Sequence, residues 1–98
     1  MNISFKNYTP IKNIIIFDEN KNKVDTENLE KEEQILANKY ILPFDRILEL
    51  GARYGSVSCI SNLKLDNKSN HVVVEPDKRV WNALEYNKKN NNCDFNIV

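Results

Sequence analysis

An α/β domain built on a parallel sheet is what this sequence predicts, on three observations. Residues 46–50 (Arg-Ile-Leu-Glu-Leu) form a short apolar run that stops at Gly51. Residues 71–75 (His-Val-Val-Val-Glu) form a second run that closes on an acid. A helical pattern separates the two runs and another follows, before a third strand begins at residues 94–98 (Asp-Phe-Asn-Ile-Val). Strands alternating with helices predict parallel pairing, right-handed crossovers and helices packed on the sheet.

Before that unit, residues 1–45 read as a separate extension, and residues 46–98 as the sheet-forming part. Residues 3–5 alternate apolar and polar, and Ile14-Ile15-Ile16-Phe17 is a short apolar run. The polar stretch 18–23 reads as a turn and Val24 as a return, so a small strand or hairpin is expected. Residues 26–41 read as a helix. Asp25 or Thr26 can cap it and Glu27 suits its first turn. Leu29, Leu36 and Tyr40 fall on one stripe, flanked by Ile35 and Ile41. Pro43 ends it.

Within the strand at 46–50, the neighbours Ile47 and Leu48, with Leu50, predict burial on both faces. Residues 55–63 read as a short helix carrying Val57, Ile60 and Leu63. A polar loop at 66–70 leads to the strand 72–74. Pro76 suits the first turn of the next helix, where a missing N–H costs nothing. That helix spans about 77 to 90, with Val80, Trp81, Leu84 and Tyr86 inward, and Asn90-Asn91-Asn92 breaks it.

Composition narrows the function classes. Ninety-eight residues make one small domain or part of a larger one. Hydrophobic residues at 41% suffice for a core, and charged residues at 29% are ordinary for a surface. The formal net charge is zero, which gives no bulk attraction to nucleic acid or anionic membrane. Cys59 and Cys93 have no metal-ligand spacing, and with His71 the lone histidine no zinc site is expected. They read as two reduced, structural thiols. No apolar run approaches the ~20 residues of a membrane helix. The N-terminus lacks the apolar core of a signal peptide, so the cytoplasm is the expected compartment.

The chemistry concentrates at the strand ends. The chain has two glycines, and both fall in the turn Gly51-Ala52-Arg53-Tyr54-Gly55. Gly51 permits an unusual turn and close approach of a ligand to the backbone. Gly55 lets the next helix pack closely and leaves its first N–H groups exposed. Glu75 lies 24 positions beyond Gly51, near the ~20 expected of an acid that grips a ribose diol. The alternative for Glu75 is support of the following helix N-terminus, which Asp77 can serve. Glu49 can bind an ammonium group or orient the turn, or simply be solvated. Arg53 can meet a carboxylate or point to water. Trp81 and Tyr86, at helical spacing, read as packing residues. His71 has no neighbouring nucleophile, and Lys88-Lys89 suit a helix C-terminus.

Residues 47–58, with their strand, acid and glycine turn, resemble the first motif of class I S-adenosylmethionine-dependent methyltransferases. The closer likeness is to the FkbM-type group. Val74-Glu75-Pro76-Asp77, followed by Val80, Leu84 and Asn87, resembles that group's second motif. The resemblance implies a Rossmann-like parallel sheet with flanking helices, of which residues 46–98 are the front half. It implies S-adenosylmethionine as cofactor. Glu49 and the backbone of Gly51, Ala52, Arg53 and Gly55 would line the methionine end, Glu75 would bind the ribose hydroxyls, and Pro76 and Asp77 would border the adenine side. Arg53 departs from the small or polar residue usual in that turn.

The family sheet has seven strands and this chain reaches its third, so no catalytic residue is assigned. The expectation is the N-terminal portion of a methyltransferase that, when complete, methylates an oxygen of a small-molecule or sugar acceptor. The isolated chain is expected not to be catalytic. The rival is a non-catalytic fragment or interaction module that self-associates or pairs with a partner chain through its open strand edge. A third reading, a dinucleotide binder, is disfavoured because the turn is not Gly-x-Gly-x-x-Gly.

Overall fold

The computed structural model describes residues 11–98; the alternation at residues 3–5 lies outside them. The chain first forms a small hairpin. Val24 N–H donates to the Ile16 carbonyl at 2.8 Å, and Phe17 bridges Lys23 in antiparallel sense. The turn is made by Asp18, whose carboxylate accepts the N–H groups of Asn20 and Asn22, both at 2.9 Å. Short acids favour turns for this reason.

Helix α1 runs over Lys31–Tyr40, five residues later at its start than the sequence predicts. Residues 26–30 form successive turns instead, and the Asp25 carboxylate accepts Glu27 N–H and the Asn28 side chain. The apolar stripe was also misassigned. Gln34 and Asn38 are buried, whereas Leu36 and Tyr40 are exposed. Gln34 Nε2 donates to the carbonyls of Thr26 and Leu29, so the helix turns a satisfied polar face inward to hold the preceding turns.

Strands β1 (Ile47–Leu50), β2 (His71–Val74) and β3 (Asn96–Ile97) form a parallel sheet in that order. Ile47 lies opposite His71, Leu50 opposite Val74, and Val73 opposite Ile97. Helix α2 (Ser56–Leu63) joins β1 to β2. A 3-10 turn (Lys78–Val80) and helix α3 (Trp81–Asn90) join β2 to β3. The domain is therefore α/β with a three-stranded parallel sheet and flanking helices, as the alternation predicts.

Both crossovers step the same way across the sheet, and a constant hand puts their helices on one face. Val73, Phe95, Cys59, Ile60, Val80 and Leu84 form the core there. Ile14 and Ile16 of the hairpin enter the same core. Burying a side chain such as Phe95 fully is worth roughly 1.5–3 kcal/mol. Helix α1 packs on α2, which is why Ser56, Ser58, Ser61 and Asn62 are buried as well as Cys59 and Ile60.

The opposite face of the sheet is uncovered. Leu48 is 69% and Leu50 76% exposed. This corrects the expectation of β1 buried on both faces: only one helical layer is present among the described residues. Val80 of the 3-10 turn and Leu84 of α3 point inward as predicted, but Tyr86 is 55% exposed and sets its ring edge-on to Phe17. Trp81 is half-buried, and its indole N–H donates to the Glu75 carbonyl at 2.8 Å.

Candidate functional site

The glycine turn projects from the carboxyl end of β1, beside the end of β2. Gly51 N–H continues the ladder to the Val74 carbonyl at 2.7 Å. Gly51 then takes φ +82°, and a Cβ there would meet nothing within 4 Å. Its backbone is open to an approaching ligand. Gly55 takes φ +94°, and a Cβ there would lie 2.8 Å from Leu84 Cδ1. The close approach that Gly55 allows is thus with α3, not with a strand. Arg53 also has positive φ, at 52°, a conformation that costs a residue with a Cβ roughly 1–2 kcal/mol.

Glu75 holds this strained turn. Its Oε1 accepts Ala52 N–H at 2.9 Å and Arg53 N–H at 2.7 Å, while its Oε2 accepts Asp77 N–H at 2.8 Å. Burial opposes ionisation of the carboxyl, but these three donors outweigh it and hold its pKa below the usual glutamate value. Each carboxylate oxygen has two lone pairs. Both on Oε1 are used, and one on Oε2 remains. Glu75 can therefore accept one further hydroxyl hydrogen bond without releasing the turn.

Asp77 caps the 3-10 turn through Arg79 N–H at 3.0 Å and holds the Arg79 guanidinium at 3.0 Å from each oxygen. That guanidinium keeps the Asp77 pKa low. Pro76 is exposed at the rim. Glu49 faces the helical layer, and its Oε1 lies 3.0 Å from Nε2 of the fully buried His71. Asn62 Nδ2 meets His71 Nδ1 at 3.2 Å, and Asn62 Oδ1 accepts Asp94 N–H at 2.9 Å. With Asn62 donating, His71 carries its proton on Nε2, towards Glu49. His71 is thus a strand-to-strand tie, made through Glu49 Oε1.

A cavity of about 500 Å³ opens beside the turn, lined by Glu19, Arg53, Tyr54, Glu75, Asp77 and Arg79 among others. The structure thus gathers Arg53, Glu75 and Asp77 at one cavity. It adds Glu19, Tyr54 and Arg79, which the sequence did not single out. Tyr54 Oη donates to the Glu19 carboxylate, and the Arg53 guanidinium lies 4.9 Å from the centre of the Tyr54 ring. The Glu19 contact, then burial, raises the Tyr54 pKa. The amino end of α2 is also occupied: Ser56 Oγ donates to Glu30 at 2.9 Å.

Asn87 fixes the hairpin against this turn. Its Oδ1 accepts Phe17 N–H at 3.0 Å, and its Nδ2 donates to the carbonyls of Phe17 and Tyr54, both at 2.8 Å. Asn91, one helical turn on, makes the same amide pair with Ile15 N–H and carbonyl. Two asparagines four apart on α3 therefore pair with backbone two apart on an extended segment, as a neighbouring strand would. The i, i+4 spacing was the only available sequence signal. No protein-family model matches the chain, and no curated protein matches it.

Proposed function

We propose that this chain is the cofactor-binding portion of an S-adenosylmethionine-dependent methyltransferase of FkbM type. The observation that carries the reading is the glycine turn at the ends of β1 and β2, held open by Glu75. Adjacent carboxyl ends of parallel strands are where such sheets bind ligands. Glu49 Oε2 would receive the methionine ammonium group, the free lone pair of Glu75 one ribose hydroxyl, and Pro76 and Asp77 the adenine border. The turn Gly51-Ala52-Arg53-Tyr54-Gly55 lacks the Gly-x-Gly-x-x-Gly spacing, which weighs against a dinucleotide. Bound cofactor would supply an electrophilic methyl group; this chain's residues hold and orient it. The acceptor would be an oxygen of a small molecule or sugar, bound by further structure, and the protein would work in the cytoplasm. Among the described residues no helix is long and apolar enough to cross a membrane.

A second reading, an interaction module, is favoured by one observation: the exposed face carrying Leu48 and Leu50 beside an edge of β1 that has no partner strand among the described residues. Amide-resolved NMR titration separates the two. Shifts at residues 51–55 and 75–77 on adding S-adenosylmethionine, and not NAD, support the cofactor reading. Shifts confined to β1 on raising the protein concentration, with neither ligand bound, support the module.

A further inference from the structure

The chain has two cysteines, 34 positions apart, and the fold brings them together. Cys59 lies in the middle of α2, fully buried, and Cys93 lies in the turn between α3 and β3, 8% exposed. Cys93 Sγ is 3.8 Å from the Cys59 carbonyl oxygen and 3.6 Å from that of Asn91. Cys59 Sγ is 3.9 Å from the Asn87 carbonyl. Both side chains belong to the same buried core cluster. Nothing in the candidate cofactor site uses either of them.

We propose that Cys59 and Cys93 are a redox-active pair that closes to an intramolecular disulfide on oxidation by hydrogen peroxide. The roles differ because the surroundings differ. The Cys59 side chain favours the Cys93 thiolate, burial opposes it, and the nearby ammonium groups of Lys68, Lys12 and Lys88 tip the balance further towards it. Contact with Cys93 and burial disfavour the Cys59 thiolate. The thiolate is the nucleophile in such chemistry, so Cys93 attacks first.

The steps balance. The Cys93 sulfur bonds to one peroxide oxygen, the O–O bond breaks, and the departing oxygen takes a proton to leave as water. Cys93 is then a sulfenic acid. The Cys59 sulfur attacks Cys93 Sγ, the S–O bond breaks, and the Cys59 proton leaves with the hydroxide as a second water. Two thiols lose two electrons in total and the peroxide gains them. The sulfur–sulfur bond needs about 2.05 Å; Cys93 Sγ already lies 3.8 Å from the Cys59 carbonyl oxygen, and rotation of the two side chains would close the remaining gap.

The closed loop contains β2, Glu75, Asp77 and α3, the second half of the candidate site. Cross-linking it constrains the unfolded chain. In a reducing compartment the pair is open, and oxidation closes it reversibly. The inference does not depend on which ligand the cavity takes.

The test is stoichiometric hydrogen peroxide on the folded chain, followed by intact mass and non-reducing peptide mapping. The expected product is a monomer lighter by two hydrogens, with the Cys59 and Cys93 peptides joined. It should revert with dithiothreitol and unfold at a higher urea concentration than the reduced form. Cys59→Ser should stop at a sulfenic acid on Cys93, trapped by dimedone, whereas Cys93→Ser should slow oxidation at least tenfold. Disulfide-linked dimers alone, over-oxidised Cys93 without a cross-link, or thiols that react only in urea would each overturn the proposal. The wild-type mapping decides it even if a variant fails to fold.

Discussion

Glu75→Gln isolates the role of one carboxylate in holding the glycine turn. The wild-type group accepts three backbone N–H bonds, from Ala52, Arg53 and Asp77. Hydrogen bonds to a charged group are worth roughly 1.5–3 kcal/mol, against about 1 kcal/mol for neutral ones. Glutamine oriented to keep the Ala52 and Arg53 bonds weakens both and presents its NH₂ to Asp77 N–H. The expected loss is about 3 kcal/mol at pH 7, summed from those terms. The pH dependence follows from the depressed pKa of Glu75 in the fold. A depressed carboxyl contributes stability above its unfolded pKa, about 4.3, and loses it as pH falls through the lower folded value. Urea melts followed by Trp81 fluorescence should therefore show the full gap at pH 7 and a smaller gap as the pH falls below about 4. A gap that stays equal as the pH falls, or none at pH 7, would refute the argument.

Four further outcomes are expected. Gly55→Ala meets Leu84 Cδ1 at 2.8 Å as well as a positive φ, and should lose about 2–4 kcal/mol in a denaturant melt. Gly51→Ala faces only the φ cost, and should lose about 1–2 kcal/mol. Asn87→Ala leaves the Phe17 N–H, Phe17 carbonyl and Tyr54 carbonyl without their partner; a loss of about 3 kcal/mol or more is expected, with faster hydrogen exchange at Phe17. Leu50→Gln on the bare face should change thermal stability of the monomer by less than about 0.5 kcal/mol, and a larger loss would mean that the face is covered.

The order of strands and helices from Arg46 onward was readable because the first two strands are short apolar runs, one closed by Gly51 and the other by Glu75. The placement of Gly51 and Glu75 at adjacent strand ends followed from it. What was not readable depended on hydrogen bonds between distant residues. Gln34 is buried because carbonyls in the preceding turns need its amide, so hydrophobic periodicity chose the wrong face of α1. Asn87 and Asn91 serve as a strand's edge for residues 15 and 17, a pairing no local pattern announces. Glu49 and His71 share the inward parity of paired strands, but their contact needs the register of β1 on β2. Leu48 looked buried because apolar residues usually are; the missing layer on that face is a property of the assembled sheet.

The most direct test of the central claim is calorimetric titration of the folded chain with S-adenosylmethionine, with NAD in parallel. The account predicts saturable one-to-one binding of S-adenosylmethionine, weakened at least tenfold by Glu49→Gln, and no heat with NAD. A folded chain that gives no heat with S-adenosylmethionine, or that prefers NAD, would contradict it.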